Sequence, residues 1–240
     1  MYSIKNLQAQ LIQLGYDLGP SGADGAFGRM TTAAVAQFQA DYAVGVKWPG
    51  TVGEKTLAAL NAAIVQKGGS ARALAGVILP WYEEAKRLQG TKEIAGKASN
   101  PTIMGWAKKL GGWIASYYNN DDIPWCGLFL AHCIGATLPS ETLPANPLGA
   151  LNWAKFGVRC APTLGAVLVF SRSGGGHVGI YVGEDAEAYH VLGGNQSNTV
   201  NITRVAKSRH VDTRWPATWP APDARKIALS GSGKLSTNEA

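Results

Sequence analysis

The spacing of apolar residues along this chain changes from a helical period to a two-residue period after Leu164-Gly165. Upstream, helical spacing recurs in three stretches: Pro80 to Leu88, Pro101 to about Tyr117, and Pro124 to about Ile134. Downstream, alternation predicts strands at 166–171, 177–183, 188–193, 198–204 and 209–214. Helices followed by a run of strands favour an α+β fold, in which the helices pack on an antiparallel sheet.

The beginning of the chain contains an internal repeat. Residues 24–35 (DGAFGRMTTAAV) and residues 49–60 (PGTVGEKTLAAL) share two glycines, a threonine and an Ala-Ala-apolar ending at the same offsets. Each copy predicts a glycine-containing turn that leads into a helix. Before the first copy, apolar residues mark one face of a further helix: Ile4, Leu7, Leu11 and Leu14. We therefore predict a three-helix module over residues 1–65.

The chain of 240 residues is long enough for two domains with buried cores. A polar, glycine-rich stretch predicts a linker over residues 66–74, followed by a second domain over 75–225 and a flexible tail over 226–240. The formal net charge of +6 favours an anionic partner, but the basic residues are scattered, which disfavours nucleic acid. No apolar stretch is long enough to predict stable insertion in a membrane. The N-terminus lacks the apolar run of a secretory signal, so we expect synthesis in the cytoplasm.

Cys126 lies where the last of the upstream helices is expected to begin. Pro124 suits the first helical position, because its missing N–H would have no partner there. Cys126 would then lie in the first turn, where unpaired N–H groups and the helix dipole lower the pKa of a thiol. We predict an uncovered thiolate, which is the nucleophilic form of cysteine in acyl transfer. The other two cysteines, Cys133 and Cys160, are predicted to pack as small hydrophobic residues.

His177 opens a predicted strand after a glycine-rich stretch and is the candidate base for this thiol. If the following hairpin centres near Asp185, residue 177 lies opposite residue 193, and Asn195 is a diagonal neighbour on the same face. Asn195 would then orient the imidazole, with Gln196 pointing the other way. A shift of register by one residue exchanges these roles, so Gln196 stays an alternative. The flanking residues are the predicted substrate contacts: Trp125, Gly176 and Gln196.

Residues 3–63 resemble the peptidoglycan-binding domain found at the ends of many cell-wall hydrolases. The resemblance is carried by Asp24-Gly25-x-Phe27-Gly28, Thr31, Ala34-Val35, Phe38-Gln39, Gly50-x-Val52-Gly53 and Thr56. Pro49 departs from the pattern, since the second turn usually carries an acidic residue. Phe27 and Phe38 are expected in the core rather than on a ligand surface. The resemblance implies that bacterial peptidoglycan is the partner.

Residues 80–215 resemble the CHAP and NlpC-type branch of papain-like cysteine peptidases, which cut bacterial cell walls. The resemblance is carried by residues 124–126 (PWC), 176–181 (GHVGIY) and 192–198 (LGGNQSN). The order of cysteine, histidine and a polar third residue in that family matches Cys126, His177 and Asn195. For the tyrosine that the family has upstream of the nucleophile, the candidates are Tyr117 and Tyr118. The resemblance implies cleavage of an amide bond through a thioester, without a metal or another cofactor.

Together the two resemblances imply the architecture of a phage endolysin or a related wall-degrading hydrolase, for which a monomer is the default. It would act on the wall in the periplasm or outside the cell. The bond that is cut stays open between the stem peptide, the cross-link and the sugar–peptide amide. Two other functions stay open: a wall-binding or phage-structural protein without turnover, and an antibacterial amidase toxin delivered into competitors. A zinc enzyme is disfavoured, because no pair of the candidate ligands has the close spacing of metal ligands: His132, His177, His190 and His210, with Asp185 or Cys160.

Overall fold

The computed structural model describes residues 3–67, 79–96, 98–220, 222, 226–231 and 234–236, and the chain falls into two units. One unit contains Met1–Glu84 with the short segments Ala136–Pro139 and Thr218–Pro220, and the other contains the remaining residues. The predicted linker at 66–74 lies outside the described residues from residue 68 onwards. The predicted α+β fold is confirmed, since helices come first and an antiparallel sheet follows.

Three helices form the module at the start of the first unit: α1 (Ile4–Leu14), α2 (Arg29–Asp41) and α3 (Glu54–Gln66). Their apolar side chains are buried together with those of the two turns: Ile4, Leu7, Leu11, Phe27, Val35, Phe38, Val52, Leu57 and Leu60. Phe27 and Phe38 therefore belong to the core. Ser3 caps α1 by accepting the N–H of Asn6, which is one of the unpaired donors at the helix start.

The side chain of Gln8, which α1 places in the core, holds the first turn of the repeat. Its Oε1 accepts the N–H of Gly25 at 2.7 Å. Its Nε2 donates to the carbonyl of Ala26 at 2.9 Å and to the hydroxyl of Thr31 at 3.0 Å. Gly25 has a φ of 84°, a left-handed value that glycine adopts without strain. One buried carboxamide therefore satisfies the polar groups of the turn that leads into α2.

Gln39 of α2 repeats these bonds in the second turn. Its Oε1 accepts the N–H of Gly50 at 2.8 Å. Its Nε2 donates to the carbonyl of Thr51 and to the hydroxyl of Thr56. Gly50 has a φ of 86°, close to that of its counterpart in the first turn. The glycines and threonines that recur in the sequence are thus partners in one hydrogen-bonding arrangement that the module uses twice.

Replacement of Gln39 by alanine is expected to lower the free energy of unfolding of this module by about 2 to 4 kcal/mol, because buried groups of the turn lose their partner. Gln37→Ala on the same helix is the matched control, since the exposed Gln37 side chain bonds to Asp41 at the surface. The control is expected to change stability by less than about 0.5 kcal/mol. Amide hydrogen exchange of α1 to α3 in the full chain measures both effects. Equal protection in the two variants would contradict the role assigned to Gln39.

The helices of the second unit precede its sheet: α5 (Pro101–Leu110), α6 (Gly112–Tyr117) and most of α7 (Cys126–Thr137). A fourth helix, α4 (Pro80–Arg87), contains the boundary between the two units. The sequence predicts one helix from 101 to 117, whereas the structure has two. The break lies at Gly111 and Gly112, whose φ values of 71° and 54° fall outside the right-handed helical region. Among the described residues, every helix is too short or too polar to cross a lipid bilayer.

The sheet of the second unit has six antiparallel strands in the order β1-β6-β2-β3-β4-β5. The strands are β1 (Val158–Arg159), β2 (Val167–Arg172), β3 (Gly175–Glu184), β4 (Ala188–Gly193), β5 (Asn201–Ala206) and β6 (His210–Trp215). All but the two-residue β1 correspond to predicted strands. The apolar runs of β2 and β3 are buried at the centre of the sheet. His177 therefore lies on a central strand, where pairing on the β2 side fixes its position.

Part of the stretch predicted as a flexible tail is ordered against β3. The N–H of Glu184 donates to the carbonyl of Ile227 at 2.8 Å, and the N–H of Leu229 donates to the carbonyl of Glu184 at 2.9 Å. Leu229 packs where Gly183 has no side chain. The structure differs from the prediction because a glycine in β3 makes room for an apolar side chain of the C-terminal segment, which the polar composition of the stretch does not reveal.

Candidate active site

Cys126 is the first residue of α7. The first helical hydrogen bond runs from the N–H of Phe129 to the carbonyl of Trp125 at 2.9 Å. Pro124 therefore lies before the helix, not at its first position as the sequence suggests. The expected surroundings of Cys126 are nevertheless present, because the N–H groups of a first turn have no partner within the helix.

The sulfur of Cys126 lies against β3. Pairing between β3 and β4 ends at Ile180 and Leu192, so β4 does not cover the first residues of β3. In this uncovered part, the N–H of Val178 donates to the sulfur of Cys126. Val178 directly follows His177. The structure thus places the predicted nucleophile, at the start of α7, against the end of β3 that carries the predicted base.

Burial raises the pKa of the Cys126 thiol, so the prediction of an uncovered thiolate was wrong. Cys126 is 4% exposed and His177 is 0% exposed. The N–H groups of Val178 and Gly127 and the charge of Arg172 lower the pKa, but the loss of water outweighs them. The helix-dipole argument counts the attraction between the dipole and the thiolate and omits the cost of removing the thiolate from water. At neutral pH, Cys126 is therefore a protonated thiol.

The rate at which iodoacetamide alkylates Cys126 is expected to rise about tenfold per pH unit between roughly pH 7 and pH 9, because the thiolate is the reactive form and its pKa is raised. Mass spectrometry of the peptide that contains Cys126 measures this rate. The same peptide in the unfolded chain is the control and should level off at lower pH. A rate that is already constant near neutral pH would contradict the raised pKa.

His177 is hydrogen-bonded to Gln196, with the ring Nε2 at 3.0 Å from Oε1 of Gln196. The carboxamide of Gln196 is oriented by its nitrogen, which donates to the carbonyl of Asn201 at 2.6 Å and to that of Val191 at 3.2 Å. Its oxygen therefore faces the ring, and Nε2 of His177 carries the proton and donates it. In the neutral imidazole, Nδ1 then has the lone pair that can accept a proton.

Asn195, the predicted third residue, does not hold the imidazole. The prediction extends the alternation of β4 as far as residue 195, but β4 ends at Gly193, and Asn195 has a φ of 55°. This left-handed residue interrupts the alternation, and the next side chain, Gln196, meets His177. The Oδ1 atom of Asn195 is buried and has no hydrogen-bond partner among the described residues. The alternative that the sequence left open, Gln196, is therefore the partner of the histidine.

Two of the predicted substrate contacts are buried, and the third, Gly176, is half-buried. Trp125 is fully buried and donates its indole N–H to Glu93 at 2.6 Å. Gly176 lies against the side chain of Leu151, which fills the space that a Cβ would need. Gln196 is also buried and is the partner of the imidazole. In this structure the three residues support the candidate site rather than line an open cleft.

Two neighbouring glycines at the end of β4 make room for the histidine and its partner. A Cβ on Gly193 would lie 3.2 Å from Nε2 of His177 and 2.9 Å from Oε1 of Gln196. A Cβ on Gly194 would lie 2.7 Å from the ring of Trp125. Side chains at these positions would push apart the groups that surround His177.

Of the two candidate tyrosines, Tyr118 is the one beside the nucleophile. Its hydroxyl donates to the carbonyl of Ile123 at 2.7 Å. Burial is the largest cause that raises the pKa of Tyr118, the carboxylate of Asp121 raises it further, and Cys126 lies near enough to contribute. Tyr117 is 57% exposed. The two tyrosines thus differ in burial, which the sequence alone does not give.

Sequence reasoning missed Arg172 and Glu93. Arg172 ends β2, and its charge reaches Cys126 across the turn before His177. Glu93 accepts the indole N–H of Trp125, and burial raises the pKa of its carboxyl group. The only indication for Arg172 in the sequence is its place just before the glycine-rich turn. Glu93 has none, because it is far from the site along the chain.

In the part of the chain that the structure describes, no group of three or more His, Cys, Asp and Glu side chains is arranged to hold a metal ion. His190 pairs with Asp185 at 2.9 Å, and Asp185 also binds Arg204. His177 is bonded to Gln196 instead. His177 and His190, two of the histidines weighed for a zinc site, thus belong to separate contacts.

Comparison with known proteins bears on the N-terminal module. Residues 2–60 match the protein-family model described as "Putative peptidoglycan binding domain". The chain carries a peptidoglycan-binding domain at its N-terminus. The chain is also similar to the type VI secretion system spike protein VgrG3 of Vibrio cholerae serotype O1 (strain ATCC 39315 / El Tor Inaba N16961), with 43% identity over 72 residues. That match covers 26% of this chain and 7% of the spike protein, and no solved structure matches the chain significantly.

The two turns of the peptidoglycan-binding domain differ at one position. In the first turn, Asp24 accepts the side-chain Nε2 of Gln8 at 2.8 Å and the N–H of Ala26 at 2.9 Å. Pro49 stands at the corresponding position of the second turn and has no side-chain acceptor. The departure from the family pattern therefore removes two hydrogen bonds within a turn of the peptidoglycan-binding domain.

Proposed function

We propose that the chain is a peptidoglycan hydrolase of the endolysin type, in which Cys126 cleaves an amide bond with His177 as the base. The observation that carries the proposal is the oriented bond between His177 and Gln196, together with a cysteine at the start of α7 whose sulfur accepts the N–H of Val178, the residue after His177. A buried carboxamide that fixes one tautomer of a histidine is the arrangement that an imidazole base requires. The N-terminal domain supplies the substrate class, because it keeps the second unit close to an insoluble wall.

The proposed reaction uses this tautomer. As the sulfur of Cys126 attacks the amide carbonyl carbon, its proton passes to Nδ1 of His177. The N–H groups at the start of α7 stabilise the oxyanion. The protonated His177 then gives its proton to the leaving amine, and a thioester remains. Water attacks the thioester with His177 as the base, which releases the carboxylic acid and restores the thiol.

Two properties of the site shape this proposal. Because the resting thiol is protonated, proton transfer to His177 accompanies the attack rather than precedes it. Because Cys126 and His177 are buried, binding of the wall peptide has to open a path to them. We therefore expect slow turnover on small soluble peptides and faster turnover on the polymer.

The test is a digest of purified peptidoglycan by the full chain. Mass spectrometry of the soluble fragments is expected to find a new amine and a new carboxyl group at one amide bond, and the pair of new ends identifies that bond. Protein that binds the wall and leaves all amide bonds intact would instead favour a wall-binding or phage-structural role without turnover.

A second candidate function is an antibacterial hydrolase delivered into competitors, with the same chemistry. It is supported by the similarity to a protein named as a type VI secretion system spike. An immunity protein encoded next to this chain that blocks the digestion would favour delivery. A neighbouring holin gene would favour release during phage lysis.

A further inference from the structure

Arg172 occupies the end of β2, directly before the turn that leads to His177. It pairs with Gly175 across the β2–β3 ladder, and its Nε donates to the carbonyl of Gly176 at 3.4 Å. The bond anchors the side chain on the residue that precedes His177. The guanidinium group is therefore held beside the candidate site by the same turn that positions the base.

The guanidinium of Arg172 has no carboxylate partner among the described residues, although it is half-buried. Other arginines of the sheet are paired: Arg204 binds Asp185 at 2.8 Å, and Arg214 lies 3.6 Å from Asp212. A half-buried cation without a counter-ion is uncommon, because burial weakens its hydration. The two terminal nitrogens of Arg172 form the planar fork that binds a carboxylate through two hydrogen bonds.

The positive charge of Arg172 lowers the pKa of the Cys126 thiol. An anion bound to this guanidinium would therefore lie within electrostatic reach of the sulfur of Cys126. The same guanidinium is anchored next to the base, at Gly176. Arg172 is thus bonded to the residue before His177 and acts electrostatically on Cys126.

We propose that Arg172 binds a carboxylate of the substrate next to the amide bond that Cys126 attacks. This inference rests on the proposed function and makes the substrate more specific, since the cleaved bond then belongs to a peptide with a free carboxylate beside it. Arg172 accordingly makes the protein selective for the acid over the amide.

The first test compares two alkylating reagents of similar size, iodoacetate with a carboxylate and iodoacetamide with a neutral amide. In Arg172→Gln the ratio of the iodoacetate rate to the iodoacetamide rate at Cys126 is expected to fall about tenfold, because the attraction of the carboxylate is lost. Arg172→Lys, which keeps the charge, should retain most of the ratio. Any change in the pKa of the thiol affects both reagents alike, so the ratio isolates the carboxylate.

Arg159→Gln is the matched control, because Arg159 lies in β1 and is largely exposed. Cys160 in the two Arg172 variants serves as an internal reference, since its ratio should not change there. An unchanged ratio at Cys126 in Arg172→Gln would overturn the proposed carboxylate site. It would leave the hydrolase proposal intact, because the test measures alkylation and not hydrolysis.

The second test uses stem peptides with a free or an amidated carboxylate next to the cleaved bond. In the parent protein, kcat/KM is expected to be higher for the acid, and Arg172→Gln should remove that preference mainly through KM. Equal loss on both peptides would overturn the proposed specificity. A parent protein that cleaves neither peptide nor the wall would instead count against the hydrolase function, and the alkylation ratio would still decide the anion site.

Discussion

Replacement of Cys126 by alanine is expected to abolish the release of soluble peptidoglycan fragments while binding to the wall is kept. In the proposed reaction Cys126 supplies the sulfur that forms the thioester, and an alanine has no atom that can take its place. The loss of rate is expected to be about a thousandfold or more, since removing a nucleophile leaves only the binding and oxyanion contributions. The three-helix module does not contain this residue, so its contacts with the wall should be unaffected.

The measurement pairs two assays on the same preparation. Sedimentation with purified walls reports binding, and the soluble fragments report cleavage. Cys160→Ala is the control, because Cys160 is half-buried near β1 and has no part in the proposed reaction. A Cys126→Ala variant that digests walls as fast as the parent would refute the assigned nucleophile. A variant that neither binds nor digests would have to be checked for folding by amide exchange.

Replacement of Gln196 by alanine is expected to reduce kcat by about a hundredfold to ten-thousandfold, because the imidazole loses the acceptor that fixes its tautomer. Asn195→Ala next to it is the matched control. Asn195 is as buried as Gln196 but makes no bond to His177, so its loss should cost far less activity. Equal losses in the two variants would contradict the assignment of Gln196.

A measurement of the His177 tautomer distinguishes the loss of ring orientation in Gln196→Ala from a general loss of stability. Gln196 also bonds to Asn201 and Val191, so its replacement is expected to cost stability of about 1 to 3 kcal/mol. Nitrogen NMR of His177 is expected to find the proton on Nε2 in the parent and a mixture of both tautomers in Gln196→Ala. A parent ring with its proton on Nδ1 would contradict the proposed mechanism.

The hairpin between β3 and β4 illustrates where pattern reasoning reaches its limit. Alternation places His177 on the correct face of a correctly predicted strand. The register was wrong, because Asp185 accepts the N–H groups of Glu187 and Ala188 and so moves the turn towards the C-terminus. A bulge between Tyr181 and Gly183 then shifts the pairing of β3 with β4 by one residue. Side-chain bonds within a turn and bulges in a ladder depend on neighbours that a periodic pattern does not contain.

The amino-acid sequence by itself determined the α+β order of elements and the repeat of the N-terminal module, and it supplied the residues of the candidate site: Cys126, His177 and the neighbouring Asn195 and Gln196. These features follow from local spacing, which acts between residues close in the chain. Only the tertiary structure decided that Gln196 holds the imidazole and that the thiol is protonated. Those outcomes depend on the left-handed turn after β4 and on the water excluded when α7 packs against β3, which are effects of residues brought together from distant parts of the chain.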